Sequence, residues 1–400
     1  MAHGTPPLTS KPTPRRRRTV ILGCTGSIGQ SSLKVAEDIP ERMEIVGLAA
    51  ARSVQPFLEQ VRTWKPLCAA LADPHAAAEA RAQLGANGPE ILEGEDGLCT
   101  LATLPEADLV IIAIVGTAGL RPALAAIEAG KDIAIASKEI LVMAGEAVME
   151  AARRKGVRVL PVDSEHNAIF QCLEGRQASE VSRLILTASG GPFRTWPADT
   201  LPSVTPAQAL KHPTWEMGRK ISIDSATLFN KGLEMIEARW LFDIPMQRVE
   251  VVVHPQSIIH SMVEFVDSSV LAQLSVTDMC FPIQYAVTWP ERVPNRLPPI
   301  NFAQLAKLEF EAPRTGDFPA LNLAREAGET GGTLPAVLNA ANEIAVDAFL
   351  AGRCSFPAIW ETVTAVMQSH RVETHPDLET ILNADAQARE AAARWLSKTH

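Results

Sequence analysis

The sequence predicts an α/β protein with an N-terminal doubly wound, Rossmann-like parallel sheet, an α+β central domain and a small C-terminal helical bundle. Between residues 19 and 160, short apolar runs alternate with amphipathic helical stretches, and these runs are too continuously apolar to have a solvent-facing side. Strand-like runs separated by polar turns follow as far as residue 289. From residue 319 onward, the long segments have helical spacing. A chain of 400 residues is also long enough for two or three domains.

The composition limits the class of protein. A net charge of -9 argues against a general nucleic-acid binder, which is usually basic. The six cysteines show no CxxC pairing, which indicates reduced cytosolic thiols and not a disulfide framework or a zinc site. No apolar run approaches the ~20 residues that cross a bilayer. We therefore expect a cytoplasmic protein with neither nucleic acid nor a membrane as its partner.

Residues 1–18 are rich in proline and threonine, lack acids and end in four arginines. They could form a targeting segment. However, the apolar run TVILG that follows is short and leads directly into a glycine loop, so it is not the core of a signal peptide. This composition favours a disordered basic tail.

The N-terminal domain is predicted over residues 19–160 and begins with a candidate nucleotide-binding loop. GCTGSIG, with Gly23, Gly26 and Gly29, follows the strand RTVILG and opens the helix SSLKVAEDI. Glycine permits a tight turn and close approach to a pyrophosphate, whose charge is favoured by a helix N-terminus. A glycine turn needed only for packing is the alternative. The position between a strand and a helix favours a dinucleotide.

The end of the second strand, EIVGLAA, indicates which dinucleotide is bound. An NAD-selective site usually has an acid here for the ribose 2′-hydroxyl, whereas this chain has Arg52 and Ser53. A cation and a hydroxyl suit a 2′-phosphate, so the pattern favours NADP(H) over the alternative of a solvated surface arginine.

The remaining elements of the three parts follow in order. Further N-terminal strands are predicted at CAALAD, ADLVIIAIV and KDIAIA, with helical segments between them, and at VRVLPV. Helices are also predicted at PFLEQVRTW and EILVMAGEAVMEAARRKG. The central domain, residues 161–289, has predicted strands at RLILTAS, RVEVVVHP, IIHSMVEFV and VLAQLSV and a helix at FNKGLEMIEARWLF. Proline-dense residues 290–318 are expected to form a linker. The helical domain, residues 319–400, has predicted helices at ALNLAREAGE, LPAVLNAANEIAVDAFLAG, PAIWETVTAVMQ and DLETILNADAQAREAAARWLSK.

Two acids lie close together in PVDSEHNAIF, directly after the last strand of the N-terminal domain. In an extended chain, Asp163 and Glu165 would point to the same side and repel each other. A metal ion, a shared proton and a basic substrate are all possible partners of this pair.

A further polar stretch, HPTWEMGRKISIDSATLFNKGLEMIEARW, contains a predicted helix that Ser225 could cap. Asn230, Lys231 and Glu234 would lie on one face of this helix. The alternative is a surface helix with ordinary charge pairs.

A second polar element argues against that alternative. In TASGGPFR, Ser189 and two glycines follow a strand, where N–H groups and a hydroxyl can hold a phosphate. Donors that suit a phosphate ester are Ser189, Ser225, Asn230 and Lys231. Acceptors that suit a hard divalent cation are Asp163, Glu165 and Glu234.

These motifs together resemble the 1-deoxy-D-xylulose 5-phosphate reductoisomerase family over nearly the whole chain after the tail. The resemblance rests on GCTGSIG, PVDSEHNAIFQ, TASGGPFR, HPTWEMGRKISIDSATLFNKGLE, VVHPQSIIHSMVEF and LPAVLNAANEIAVDAFL. It implies an NADPH-dependent enzyme that uses Mg²⁺ or Mn²⁺. The implied reaction isomerises and reduces a small phosphorylated sugar, 1-deoxy-D-xylulose 5-phosphate, to 2-C-methyl-D-erythritol 4-phosphate. It also implies a homodimer.

The resemblance implies roles for individual residues as well. The metal ligands would be Asp163, Glu165 and Glu234. The catalytic residues would be Lys138, Glu165, His212 and Glu234. The substrate would be bound by Lys138, Ser164, Glu165, Ser189, His212, Trp215, Met217, Ser225, Asn230, Lys231, Glu234 and His260. NADPH would contact Thr25, Gly26, Ser27, Ile28, Arg52, Ser53, Ala136, Ser137, Glu139 and Gly218. A loop that closes over the substrate would include His212, Trp215 and Met217.

Other interpretations of single residues and of the whole chain stay open. Ser137 stands where the family often has asparagine, which affects a contact by this side chain but not the chemistry. His260 could be structural, Trp215 could belong to the core and Lys138 could face solvent. Another NADP-linked dehydrogenase, acting on a phosphorylated or semialdehyde substrate, and a non-catalytic NADP-sensing module are the alternative functions.

Overall fold

The computed structural model describes residues 16–85, 88–215 and 217–399. Most of the predicted basic tail, residues 1–15, lies outside the described residues. Strand β1 (Arg17–Leu22) includes the last two arginines of that predicted tail. Within the described ranges, no helix has the length and apolar character that crossing a membrane requires.

The N-terminal sheet is parallel and doubly wound, which confirms the predicted fold class. After β1 its strands are β2 (Met43–Ala50), β3 (Cys68–Leu71), β4 (Glu90–Glu93), β5 (Leu109–Ile112), β6 (Asp132–Ile135) and β7 (Val159–Pro161). They lie in the order β4-β3-β2-β1-β5-β6-β7, and all neighbours are parallel. The strand order reverses between β1 and β5, so their carboxyl ends border the crevice in which such sheets bind ligands.

Helices pack on both faces of this sheet. They are α1 (Ser27–Asp38), α2 (Val54–Trp64), α3 (Pro74–Leu84), α4 (Gly94–Ala102), α5 (Leu120–Glu128) and α6 (Lys138–Lys155). The helical geometry of α6 is interrupted at Ala144. Directly after this break, Gly145 lies so close to the Trp240 ring that a Cβ atom would be 2.2 Å from it. The absence of a side chain at Gly145 therefore lets the Trp240 ring approach α6 closely.

Strand β4 was not predicted from the sequence. Only Ile91 of β4 is buried, and the strand lies at the edge of the sheet. An edge strand with one buried side chain has no continuous apolar run to mark it.

The central domain is built on a second, mixed sheet whose four strands were all predicted. They are β8 (Val181–Ala188), β9 (Val249–Val253), β10 (Ile259–Phe265) and β11 (Val270–Leu274), in the order β11-β10-β8-β9. Strands β8 and β9 are parallel, and the other two pairs are antiparallel. The helices of this region are α7 (Ser164–Cys172), α8 (Pro206–Ala209), α9 (Arg219–Thr227), α10 (Phe229–Phe242) and α11 (Cys280–Thr288).

Two local predictions in this domain were wrong. Helix α7 begins at Ser164, so Asp163 occupies its N-cap position and the two acids do not lie side by side on an extended segment. Ser225 does not cap the helix that carries Lys231. It lies in the last turn of α9, and Leu228 then adopts a left-handed conformation, with φ of 66°, before α10 begins.

The four predicted C-terminal helices are confirmed as α13 (Ala320–Thr330), α14 (Leu334–Leu350), α15 (Ala358–Ser369) and α16 (Leu378–Thr399). The preceding linker contains the short helix α12 (Phe302–Leu305), and its Glu311 pairs with Val253 of β9. Helix α11 was not predicted. It lies within residues 161–289, the predicted central domain, and its Ile283 and Val287 pack into the core beneath the parallel sheet.

The glycine loop between β1 and α1 gives a test of the fold. A Cβ atom on Gly29 would lie 2.3 Å from the Gly23 backbone oxygen and 2.5 Å from Cys24 Cα, so the loop would have to move. We expect Gly29→Ala to lower the free energy of unfolding by about 1–3 kcal/mol in urea denaturation. Gly26→Ala is the control, because its Cβ atom would meet nothing closer than 3.4 Å. Equal stability of the two variants would contradict the loop geometry.

Candidate active site

A cavity of about 500 Å³ opens at the carboxyl edge of the parallel sheet, between this sheet and the central domain. The first turns of α1, α6, α7 and α10 border it, together with the end of β8. The structure brings most of the predicted site residues to this one cavity. They are Ser27, Ile28, Ala136, Lys138, Asp163, Ser164, Glu165, Ser189, His212, Trp215, Met217, Gly218, Ser225, Asn230, Lys231, Glu234 and His260.

Lys138 connects two of the acids at the centre of the cavity. Its Nζ atom lies 2.6 Å from Asp163 Oδ2 and 2.8 Å from Glu234 Oε1, and it donates to Asn230 Oδ1 at 2.9 Å. Lys138 is the first residue of α6, directly after β6, so the sheet edge places it in the crevice. Its side chain is buried, which excludes the alternative of a solvent-facing lysine.

Lys231 connects the third acid to the same group. Its Nζ atom donates to Glu165 Oε1 at 2.8 Å and also to Glu234 Oε2. Glu234 Oε1 accepts from Asn230 Nδ2 at 2.5 Å, and Ser164 Oγ donates to Glu165 Oε2 at 2.6 Å. Three carboxylates from α7 and α10 are therefore bridged by two ammonium groups.

Three carboxylates share two ammonium groups in this cluster. Burial raises the pKa of Glu165 to about 7, and the neighbouring charge of Glu234 acts in the same direction. Burial also opposes ionisation of Asp163, but the Lys138 ammonium outweighs it and holds the pKa of that carboxyl well below its usual range. A group of carboxylate oxygens at one point of a cavity is the kind of ligand set that a hard divalent cation prefers.

Asp163, His166 and Glu234 could hold a metal ion. Each offers one ligand atom, and these three atoms lie within 4.8 Å of one another. His166, which the sequence analysis missed, takes the place of Glu165 in this set. Its Nε2 lies 2.9 Å from the Glu234 backbone oxygen and its Nδ1 lies 3.4 Å from Glu237. Both ring nitrogens therefore have other neighbours. Helical spacing from Asp163 could have revealed His166 if α7 had been predicted.

The turn after β8 carries Ser189 against the end of α9. Gly190 and Gly191 both have positive φ, at 83° and 67°. A Cβ atom on Gly191 would be 2.8 Å from the Ser225 backbone oxygen, so only glycine allows this close approach. Two serines from distant parts of the sequence thereby reach the same cavity.

The hydrogen bonds of His212 fix its tautomer and leave a donor on Ser189. Backbone N–H groups of Thr214 and Trp215 donate to His212 Nδ1 at 3.2 and 2.9 Å, so the proton resides on Nε2. Nε2 then donates to Ser189 Oγ at 2.8 Å, and Gly191 N donates to the same oxygen at 3.2 Å. Because this oxygen accepts two hydrogen bonds, the Ser189 hydroxyl proton points elsewhere and can be donated to an anion.

The loop before α9 covers the cavity from one side. The Trp215 ring stands edge-on to the His260 ring, with centroids 6.2 Å apart. His260 is buried, and its Nε2 has no hydrogen-bond partner among the described residues. Trp215 is only half-buried and lines the cavity, so it is not a core residue.

Six of the residues implied as NADPH contacts do not line this cavity. Thr25 and Gly26 lie in the glycine loop, and Arg52 and Ser53 are exposed beyond the end of β2, on the same edge of the sheet. Ser137 is buried, and its hydroxyl donates to the Ile114 backbone oxygen. Glu139 is also buried and pairs with Lys220.

Several residues that line the cavity were not predicted from the sequence. Lys34 lies two turns into α1, and Ser257, Asp278 and Met279 lie in loops of the central domain. A lysine within an amphipathic helix and short polar loops carry no distinctive sequence signal. The fold alone brings them to the cavity.

Comparison with known proteins identifies the relatives of the chain. A family model described as 1-deoxy-D-xylulose 5-phosphate reductoisomerase matches residues 19–145. A second model, described as the 1-deoxy-D-xylulose 5-phosphate reductoisomerase C-terminal domain, matches residues 159–242. A model described as the DXP reductoisomerase C-terminal domain matches residues 274–391. Proteins named 1-deoxy-D-xylulose 5-phosphate reductoisomerase include one from Pelotomaculum thermopropionicum, 51% identical over 93% of this chain and 97% of the relative. Another, from Anaeromyxobacter sp. strain K, is 52% identical over 96% of this chain and 98% of the relative.

Solved structures are similar over the same length. The Zymomonas mobilis 1-deoxy-D-xylulose 5-phosphate reductoisomerase in complex with NADPH superposes with a TM-score of 0.90 at 43% identity, covering 96% of this chain and 99% of that one. A DOX-P reductoisomerase in complex with NADPH, fosmidomycin and magnesium gives a TM-score of 0.92 at 39% identity, covering 95% and 98%.

Two histidines of the cavity give a test by titration. Burial lowers the pKa of His212 and of His260 to about 4. The pKa of histidine in an unfolded chain is about 6.5. The folded protein therefore favours the neutral rings. This contribution to stability is complete above about pH 6.5 and is lost as the pH falls toward about 4.

NMR of the ring protons measures these values directly. We expect neither ring to titrate between about pH 5.5 and pH 8 in the folded protein, and both to titrate near 6.5 in urea. His212→Gln and His260→Gln assign the two signals. A native midpoint near 6.5 for either ring would show that this ring is not buried as described.

Proposed function

The chain belongs to the 1-deoxy-D-xylulose 5-phosphate reductoisomerase family, and from that premise we propose how its residues carry out the reaction. Its function is the NADPH- and divalent-metal-dependent conversion of 1-deoxy-D-xylulose 5-phosphate to 2-C-methyl-D-erythritol 4-phosphate. One observation carries the proposal for this site. A single cavity joins the glycine-loop helix α1 to three carboxylates, two lysines and the Ser189 turn.

Asp163, Glu165 and Glu234 are the proposed ligands of Mg²⁺ or Mn²⁺. Carboxylate oxygens are the ligands that such hard cations prefer, and these three carboxylates meet around Lys138 and Lys231. Glu165 fits this role better than His166, because Glu165 lines the cavity whereas His166 is fully buried and engaged by Glu234 and Glu237. When bound, the cation supplies a Lewis acid for the substrate oxygens and NADPH supplies the hydride.

Lys138 is proposed to stabilise the negative charge that develops on the substrate oxygens, and Ser164 to bind a neighbouring hydroxyl. The carboxylates around Lys138 hold the pKa of its ammonium well above the usual value, although burial opposes this. The side chain thus carries a fixed positive charge in a site with little water, where charge stabilisation is strongest. The turn of the backbone into α7 directs Ser164 into the cavity.

The substrate phosphate is proposed to bind between the Ser189 turn and the first turn of α10. Ser189, Ser225, Asn230 and Lys231 would donate to its oxygens, and the free hydroxyl proton of Ser189 supports this role. A phosphate is remote from the bonds that change, so its binding energy can position the substrate. His212, Trp215 and Met217 would then cover the substrate and exclude water, with His260 beneath Trp215.

The cofactor is proposed to lie along the carboxyl edge of the sheet, with its pyrophosphate on the glycine loop. Thr25, Gly26, Ser27 and Ile28 are placed there by the start of α1. Arg52 and Ser53 would bind the 2′-phosphate beyond β2. The nicotinamide end would approach Ala136, Glu139 and Gly218. For Ser137 we propose no side-chain contact with NADPH, because its hydroxyl is bonded to the backbone.

A homodimer in the cytoplasm completes the proposal. Val266, Val270 and Leu271 are exposed apolar residues around the turn into β11, and β11 is an edge strand. An exposed apolar edge favours pairing with another chain. The molar mass in solution can be measured by light scattering. A mass equal to that of one chain at micromolar concentration would contradict this part of the proposal.

The deciding assay follows NADPH absorbance with 1-deoxy-D-xylulose 5-phosphate, with and without Mg²⁺ or Mn²⁺. We expect oxidation of NADPH only when metal is present, and its loss on addition of EDTA. Metal-independent oxidation with another substrate would favour a different NADP-linked dehydrogenase. NADPH binding without any turnover would favour a sensing module.

Glu234→Gln tests the proposed metal site in the same assay. The substitution removes one negative charge from the ligand set, so we expect kcat to fall at least about a hundredfold, with NADPH binding nearly unchanged. Glu264→Gln is the matched control, because Glu264 pairs with Arg183 at the surface. Near-normal turnover of Glu234→Gln would remove Glu234 from the metal ligands.

Arg52→Asp tests the proposed selectivity for the 2′-phosphate. We expect its KM for NADPH to rise at least about tenfold and its KM for NADH to change little, because only NADPH presents the phosphate. Arg62→Asp, on the exposed last turn of α2, is the control for the change in net charge. An equal effect on both cofactors would refute the contact.

A further inference from the structure

Lys220 lies outside the cavity and has no place in the proposed reaction, yet it is a largely buried cation between two buried acids. Its Nζ atom lies 3.2 Å from Glu139 Oε1 and 2.8 Å from Asp224 Oδ2. The side chains of Lys220, Glu139 and Asp224 are only 16%, 8% and 2% exposed. Burying an ion is unfavourable unless oppositely charged partners lie at hydrogen-bonding distance. The positions of Glu139 and Asp224 around Lys220 therefore matter for stability.

The bridge joins two helices that border the cavity. Glu139 is in the first turn of α6, and the residue before it is Lys138. Lys220 is in the first turn of α9, two residues after Gly218 and the loop that carries Trp215. The bridge therefore fixes the distance between the start of α6 and the end of the covering loop.

A third helix supports this bridge from behind. Asn342 of α14 donates to Asp224 Oδ1 at 2.7 Å, and both side chains are buried. One residue later, Glu343 approaches the turn after β5, where a Cβ atom on Gly116 would lie 3.6 Å from its Oε1. Arg389 of α16 holds Glu343 at 2.7 Å. The C-terminal helices thus contact the sheet edge and the Lys220 bridge together.

We propose that Lys220 is a positioning residue for the reaction, acting through Glu139 and Asp224 to hold the first turns of α6 and α9 in register. Through Glu139 it would set the position of Lys138, whose role rests on the proposed function. Without the Lys220 charge, Glu139 and Asp224 would face each other as uncompensated buried carboxylates. Their repulsion would separate the two helices and displace Lys138 from its acids.

The charge argument predicts a rescue that a packing role does not. Lys220→Met is expected to lower kcat at least about tenfold while KM for 1-deoxy-D-xylulose 5-phosphate changes less than about threefold. Adding Asp224→Asn should restore at least about a third of the lost activity. The amide removes the repulsion, can donate to Glu139 and can still accept from Asn342. Lys220→Arg keeps the charge and should remain within about threefold of the unchanged protein.

Hydrogen exchange gives a second measurement that does not depend on turnover. We expect Lys220→Met to speed amide exchange in residues 138–145 and 217–227, and Asp224→Asn to reverse this. Lys155→Met is the matched control, because Lys155 is a lysine paired with a glutamate at the opposite end of the same helix. If the unchanged protein fails to turn over the substrate, the proposed function fails, and the exchange data still test the bridge.

Two results would overturn the proposal. The first is that Lys220→Met leaves amide hydrogen exchange unchanged and keeps kcat within about threefold of that of the unchanged protein. The other is a loss of activity that Asp224→Asn does not reverse, with an equal fall in melting temperature in Lys220→Met and the double variant. That outcome would assign Lys220 to packing alone. If Lys220→Met does not fold, the activity of the folded double variant is compared with that of Lys220→Arg. Activity of the double variant near that of Lys220→Arg supports the positioning role, and activity far below it contradicts that role.

Discussion

The structure depends above all on the gathering of buried charges at the carboxyl edge of the parallel sheet. Asp163, Glu165 and Glu234 approach one another around Lys138 and Lys231, although burial of like charges is strongly unfavourable without compensation. The charges come from the starts of α6, α7 and α10, which belong to different parts of the chain. Only the packing of two sheets and the C-terminal helices can hold these three helix starts together.

The fold could be predicted where the signal is local. The GCTGSIG spacing and the apolar strands specify the doubly wound sheet, because turn geometry and burial act on neighbouring residues. Predictions failed where a backbone change has no such signal. The chain turns into α7 directly after the short strand β7, and Leu228 adopts a left-handed conformation that leucine rarely takes. The first turn sets the direction of Ser164, and the second sets where α10 begins after Ser225.

Much of the candidate site could be named from residue chemistry, whereas its supporting residues could not. Carboxylates suit a hard cation, and lysines and small polar donors suit a phosphate, so the types of residue in the cluster are informative. The partners of Lys220 and Asp224 are ordinary residues far away in the sequence, such as Asn342, 118 positions after Asp224. Their roles arise from tertiary packing, and no spacing rule within one helix or strand contains that information.

Lys231 connects the two binding functions of the cavity. Its ammonium group is engaged by Glu165 and Glu234, yet it also lines the region next to Ser189 and Ser225. One ammonium carries a single positive charge, so it cannot neutralise two carboxylates and a doubly charged phosphate together. A divalent cation on the carboxylates would relieve the demand on Lys231 and strengthen its contact with the phosphate. Metal and substrate are thus expected to bind with positive coupling, because they share this lysine as a counter-charge.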